Sequence, residues 1–77
     1  MPPADPSVAN SRAVIDAERV RWKMRGLDGA WTAERYRKAY AAFAAAEQAD
    51  TQRMYFWRAE GAYALAKASQ LDAQPAP

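Results

Sequence analysis

Apolar residues recur at helical spacing in three stretches of this chain, and each stretch is bounded by residues that start or stop helices. In the first stretch, Ala13, Ala17, Val20 and Met24 form one stripe, while Val8, Ile15 and Trp22 form another nearly opposite. A helix with two apolar stripes has more than one neighbour. Its start is predicted near Asp5-Pro6-Ser7, where Asp5 or Ser7 caps and Pro6 suits the first helical position. Its end is predicted at Arg25, because Gly26 suits the left-handed residue that follows a helix and Leu27 then folds back on Trp22. Asp28-Gly29 is a turn signal.

The second stretch opens on Thr32, a good N-cap. Glu34 sits in the first turn, where the helix dipole favours a negative charge, and Trp31 is placed to staple onto Tyr36. The helix is predicted to run to Ala49, with Tyr36, Tyr40 and Phe43 inward and Glu34, Arg37 and Lys38 outward. The third stretch, Thr51 to Leu71, carries Met54, Trp57, Gly61, Ala64, Leu65, Ala68 and Leu71 on one face. Tyr55 and Phe56 point elsewhere, and Tyr63 falls beneath Phe56. No Gly or Pro separates the second and third stretches. The aromatic seam of the second helix meets Glu47 and Asp50 before it resumes at Met54 and Trp57, and two acids in the seam favour a hairpin capped by Asp50. One long helix over 33–71 is the alternative.

These elements predict an all-α fold, a small three-helix antiparallel bundle or helical hairpin with helices over 7–25, 33–49 and 51–71. The chain then holds one helical domain, 7–72, between Pro-rich tails, 1–6 and 73–77, expected to be disordered. A domain this short buries about 60% of the surface its unfolded chain exposes. The 51% hydrophobic content overstates the core, since 20 of the 77 residues are Ala. Ala favours helix but buries little area. The bulky core candidates are Val14, Ile15, Val20, Met24, Leu27, Leu65, Leu71 and nine aromatics.

The chemistry of catalysis is nearly absent. Without Cys or His there is no disulfide, and neither a zinc site nor any other cofactor is expected. The hydroxyls of Ser7, Ser11, Thr32, Thr51 and Ser69 lack a partner base. Gly26-Leu27-Asp28-Gly29 lacks the phosphate-loop pattern. The carboxylates are scattered, and Glu47 with Asp50 reads as a solvated helix end. A non-enzymatic protein with no small-molecule substrate is expected. The N-terminus has neither a basic start nor an apolar run, and Ala39 to Ala46 is far short of the ~20 residues that span a bilayer. A soluble cytoplasmic protein with no membrane partner is the expectation.

Two features point to binding. Tyr55-Phe56-Trp57 sends three consecutive rings in three directions, more than a bundle this small readily covers. Tyr55, Phe56, Tyr63 and Trp22 are therefore the candidate protein-interface residues; the competing reading makes the third helix central and its aromatics all core. The second feature is charge. Net charge is only +2, yet residues 19–38 hold seven basic and two acidic side chains. Arg19, Lys23, Arg25, Arg35 and Lys38 are the candidate contacts for a phosphate, a nucleic acid or an acidic surface, against the plainer reading of a solvated basic face. A helix-turn-helix with the third helix as reader, led by Thr51, Gln52 and Arg53, has little to support it. The junction lacks a turn Gly, and that helix carries few cations.

Trp22-Lys-Met-Arg-Gly26 and Trp57-Arg-Ala-Glu-Gly61 share a Trp-x-x-x-Gly spacing and lie 35 residues apart. Between them, Ala39, Phe43 and Ala46 alternate small, large and small, with Asp50 at the end of the helix. Over residues 17–66 the chain resembles about one and a half tetratricopeptide repeats, whose period is about 34 residues. It departs from that pattern where Thr51 stands for the usual Pro, where Leu is missing before each Gly, and where Trp and Gly sit one position out of register with Ala39. The resemblance implies antiparallel helical hairpins that bind a peptide or protein. The expected function is thus a protein–protein interaction module, a homodimer or small accessory subunit binding through aromatic-rich helix faces. The alternative is a small DNA-binding regulatory protein using the basic 19–38 segment.

Overall fold

The computed structural model describes residues 11–26 and 31–74. Three helices carry the fold: α1 (Arg12–Gly26), α2 (Ala33–Ala49) and α3 (Met54–Asp72), with one turn of 3-10 helix (Thr51–Arg53) between the last two. The described residues contain no strand. The order of ion pairs gives the directions. Arg58 meets Glu47 beside the α2–α3 junction and Arg37 meets Asp72 at the far end, so these helices run antiparallel. Glu18 pairs with Arg53 and Arg25 with Glu60, so α1 runs parallel to α3 and antiparallel to α2. The result is a small three-helix antiparallel bundle.

The start of α2 is a local sequence effect. Thr32 accepts the Arg35 backbone N–H at 3.1 Å, satisfying one donor that the first turn leaves unpaired. Trp31 then packs on Tyr36 with centroids 5.2 Å apart, the hydrophobic staple that sets the direction in which the chain enters the helix. The caps predicted at Asp5 and Ser7, the Leu27 contact, the Asp28-Gly29 turn, Val8 and the 1–6 tail lie outside the described residues. The 73–77 tail is described only at Ala73 and Gln74, where Ala73 donates to the Ser69 carbonyl. Of the first helix, the described part begins at Arg12, with Ser11 outside it, and Gly26 closes it as its last residue rather than following it.

The hairpin, and not the long helix, joins α2 to α3. Asp50 leaves helical geometry while its N–H still reaches the Ala46 carbonyl at 2.8 Å. The expected helix start at Thr51 becomes the 3-10 turn, closed by Arg53 N–H to Asp50 O at 3.1 Å, and α3 starts at Met54. Asp50 caps no backbone N–H of the new turn. Nor is it a solvated acid: it is buried, and its carboxylate accepts the Trp57 indole N–H at 3.1 Å and pairs with Arg53. A buried indole usually finds an acceptor, and Asp50 supplies it for Trp57.

Phe43 and Trp57 stack at 6.0 Å in the centre, with Phe56 edge-on to Trp57 at 4.8 Å. Around them lie Val14, Ala17 and Met24 of α1, Ala39 and Ala46 of α2, and Ala64 of α3. The many Ala residues allow close helix approach, so two rings fill the space that longer aliphatic chains fill elsewhere. Three inward expectations are corrected. Tyr40 is 40% exposed, because its ring lies across Gly61 at the edge of the α2–α3 seam rather than within it. Leu65 is exposed, one residue and about 100° past buried Ala64. In α1, Val14 is the fully buried residue in the place expected for Ala13.

Candidate functional site

The expected seam of α3 held no charge, yet Glu60 lies within it, three residues after Trp57 and four before Ala64, both buried. Its burial is made tolerable by α1. Arg25 donates Nε to one Glu60 oxygen at 3.0 Å and Nη2 to the other at 3.2 Å, and Arg21 Nε donates at 3.2 Å. The same guanidiniums cover two of the candidate interface rings. Arg21 lies 4.9 Å from the Phe56 centroid and Arg25 3.7 Å from that of Tyr63. The Arg25 guanidinium is held above its ordinary range chiefly by its hydrogen bond to Glu60, with burial acting against this. Phe56 and Tyr63 are consequently half-buried against the core. Arg21 and Arg25, four residues apart on α1, thus close α1 on α3.

The other two candidate rings behave differently. Trp22 is 79% exposed and Tyr55 is 74% exposed. Arg58 lies 5.3 Å from the Tyr55 centroid while its guanidinium spans to Glu47, with two hydrogen bonds of 2.8 and 2.9 Å. Trp22 stands between shallow grooves. One, of about 270 Å³, runs along the α1–α3 boundary and is lined by Glu18, Arg21, Trp22, Arg53, Phe56 and Trp57. Another is lined by Ile15, Glu18, Arg19, Trp22 and Lys23. A third holds Arg21, Trp22, Arg25 and Gly26. The structure brings the aromatic and basic features together here, on the solvent side of α1.

The five candidate anion contacts separate. Lys23, Arg35 and Lys38 surround a dent of about 250 Å³ floored by Val20, Trp31 and Ala39. Arg35 lies 4.4 Å from the Trp31 centroid, and Lys38 makes a loose, exposed pair with Glu34 at 3.7 Å. The buried Trp31 indole nitrogen has no hydrogen-bond partner among the described residues. Arg19 lies with Trp22 instead, and Arg25 is committed to Glu60. Compared with family models, curated proteins and solved structures, the chain matches none.

Among the described residues no three carboxylates gather where a metal ion would sit, and of the two buried acids Asp50 is held by Arg53 and the Trp57 indole and Glu60 by Arg21 and Arg25. No described helix is long and apolar enough to cross a membrane. Sequence reasoning missed Glu60 and misjudged Asp50. A signal for Glu60 was present: a lone acid among Trp57, Gly61 and Ala64 requires a cation, and Arg21 and Arg25 stand at the spacing that puts two on one helix face.

Proposed function

We propose that this chain is a non-enzymatic, cytoplasmic protein-interaction module, acting as a small accessory subunit through the aromatic faces of α1 and α3. One observation carries the reading. Trp22, the bulkiest kind of side chain, is 79% exposed beside grooves lined by arginines. Trp and Arg dominate the energetic centres of protein interfaces, because each gives large contact area together with a directed polar group. Tyr55 offers a second exposed ring, and Phe56 and Tyr63, half-buried beneath the guanidiniums of Arg21 and Arg25, border this surface. The tetratricopeptide resemblance supports the same reading. Ala39, Phe43 and Ala46 are the buried face of α2, and Gly61 receives the Tyr40 ring.

Affinity capture with the full chain from its source, followed by light scattering of the complex, tests the proposal. The expected result is a stoichiometric protein partner that is lost in Trp22→Ser/Tyr55→Ser. A chain that captures nothing sensitive to these rings, and stays monomeric at every concentration, removes the reading. A second reading, nucleic-acid binding, is favoured by the three cations around the Trp31 dent. It requires duplex affinity that falls with salt by a slope of about −0.9 per phosphate contacted, and that weakens in Lys23→Gln/Lys38→Gln.

A further inference from the structure

The chain contains two Trp-x-x-x-Gly units, and it shows what covers one of them. On α3, Trp57 and Gly61 are overlaid by α2. Phe43 stacks on the Trp57 ring, Asp50 accepts its indole N–H, and Tyr40 fits so closely on Gly61 that an added Cβ would lie 3.2 Å from the ring. On α1, the matching pair is open. Trp22 is largely exposed, and among the described residues nothing lies within 4 Å of a Cβ built on Gly26. A ring followed one turn later by a residue without a side chain leaves a knob and a flat beside it, a shape that accepts a helix at close range.

The charge around this pair identifies the visitor. Arg19 and Lys23 flank Trp22, and neither has an ion-pair partner among the described residues. Arg21 offers Glu60 only its Nε, and its side chain is 39% exposed, so most of its five donors remain for another acceptor. The one acid beside Trp22 in these grooves, Glu18, already pairs with Arg53 at 3.6 Å. A second copy fits this face poorly. A two-fold contact centred on Trp22 would set Arg19 and Lys23 of both copies against each other.

We propose that the Trp22–Gly26 face of α1 docks an acidic amphipathic helix of a different protein. The helix would set an aromatic or aliphatic pair on Trp22 and carboxylates against Arg19, Arg21 and Lys23, as α2 sets Phe43 and Asp50 on Trp57. The inference rests on the protein-interaction reading and specifies its partner class and address.

The test is a titration of the ¹⁵N-labelled full chain with a synthetic helical peptide bearing a Tyr-x-x-Phe stripe flanked by Glu, and with its Glu→Gln counterpart. Trp22→Phe assigns the indole signal. The expected result is movement of the Trp22 indole and the α1 amides on the Trp22 side, with at least tenfold weaker binding for the Gln peptide and for Trp22→Ala. Arg19→Glu/Lys23→Glu, which alters only exposed positions, should lose the Glu peptide and bind a Lys-flanked one. Absence of binding, binding unaffected by Trp22→Ala, or shifts centred on Tyr55 or on Arg35 and Lys38 overturns the proposal. So does a single-stranded oligonucleotide that occupies the Trp22 face more tightly than the peptide. A captured partner that survives Trp22→Ala but is lost in the Trp22→Ser/Tyr55→Ser double variant leaves the general interaction reading standing and removes this one.

Discussion

Trp57 and Gly61 on α3, and Trp22 and Gly26 on α1, are written with the same spacing and meet opposite fates. Trp57 is 0% exposed and Trp22 is 79% exposed. The local chain does not distinguish them, since in both helices the four-residue step places Trp and Gly on one face. The rest of each helix does. On α3, Ala64 and Ala68 follow Trp57 at seven and eleven residues, so the small residues that let α2 approach lie on the same row as the ring. On α1, the inward row is Val14, Ala17 and Met24, and Trp22 precedes Met24 by two residues, about 200° around the helix. A motif takes its meaning from the row it shares, and only one of these two units shares the row that faces the core.

The largest test of this contrast is truncation of the two rings. Trp57→Ala removes the centre of the Phe43 and Phe56 stack and is expected to cost about 3–5 kcal/mol, enough to unfold most of a domain this small. Trp22→Ala is expected to change stability by no more than about 0.5 kcal/mol. Urea denaturation followed by circular dichroism measures both, and equal losses would dissolve the distinction. Next in size is Asp50→Ala, which leaves the Trp57 N–H buried without an acceptor and Arg53 without its near partner. A loss of about 1–3 kcal/mol is expected, visible as a lower urea midpoint and an altered Trp57 indole signal.

Glu60→Ala probes the closure of α1 on α3. Its partners Arg21 and Arg25 are 39 and 40% exposed, so solvent screens them once the acid is gone. The loss belongs at the low end of about 1–3 kcal/mol. It should appear as faster amide exchange concentrated in α1, with the α2–α3 hairpin retaining protection. The smallest contrast is between the glycines. Gly26→Ala meets no described residue and gains helix propensity, a few tenths to about 1 kcal/mol at most. Gly61→Ala gains the same propensity but pushes a Cβ to 3.2 Å from the Tyr40 ring. Its midpoint is expected below that of Gly26→Ala, and Gly61→Ala/Tyr40→Ala should recover part of the gap.

The elements whose causes lie within a few residues were legible without a structure. Thr32 starts α2 because its hydroxyl reaches the Arg35 N–H within one turn, and Trp31 finds Tyr36 for the same local reason. The three helices, the end of α2 at Ala49 and the break at Asp50 likewise follow from propensity, spacing and charge placed in an apolar seam. The residues of the candidate surface were also legible by type, as exposed-ring and basic candidates.

Tertiary structure alone decided which of them meet. Glu60 is 35 residues from Arg25 and 39 from Arg21, and no local rule brings these groups together. Their pairing shields Phe56 and Tyr63 and leaves Trp22 as the open ring beside Arg19 and Lys23. The same assembly turned Asp50 from a helix-end acid into the acceptor of the central indole. Helix formation depends on neighbours three and four residues away. Burial of a ring or a carboxylate depends on which distant row arrives opposite, and that is known only once the three helices have packed.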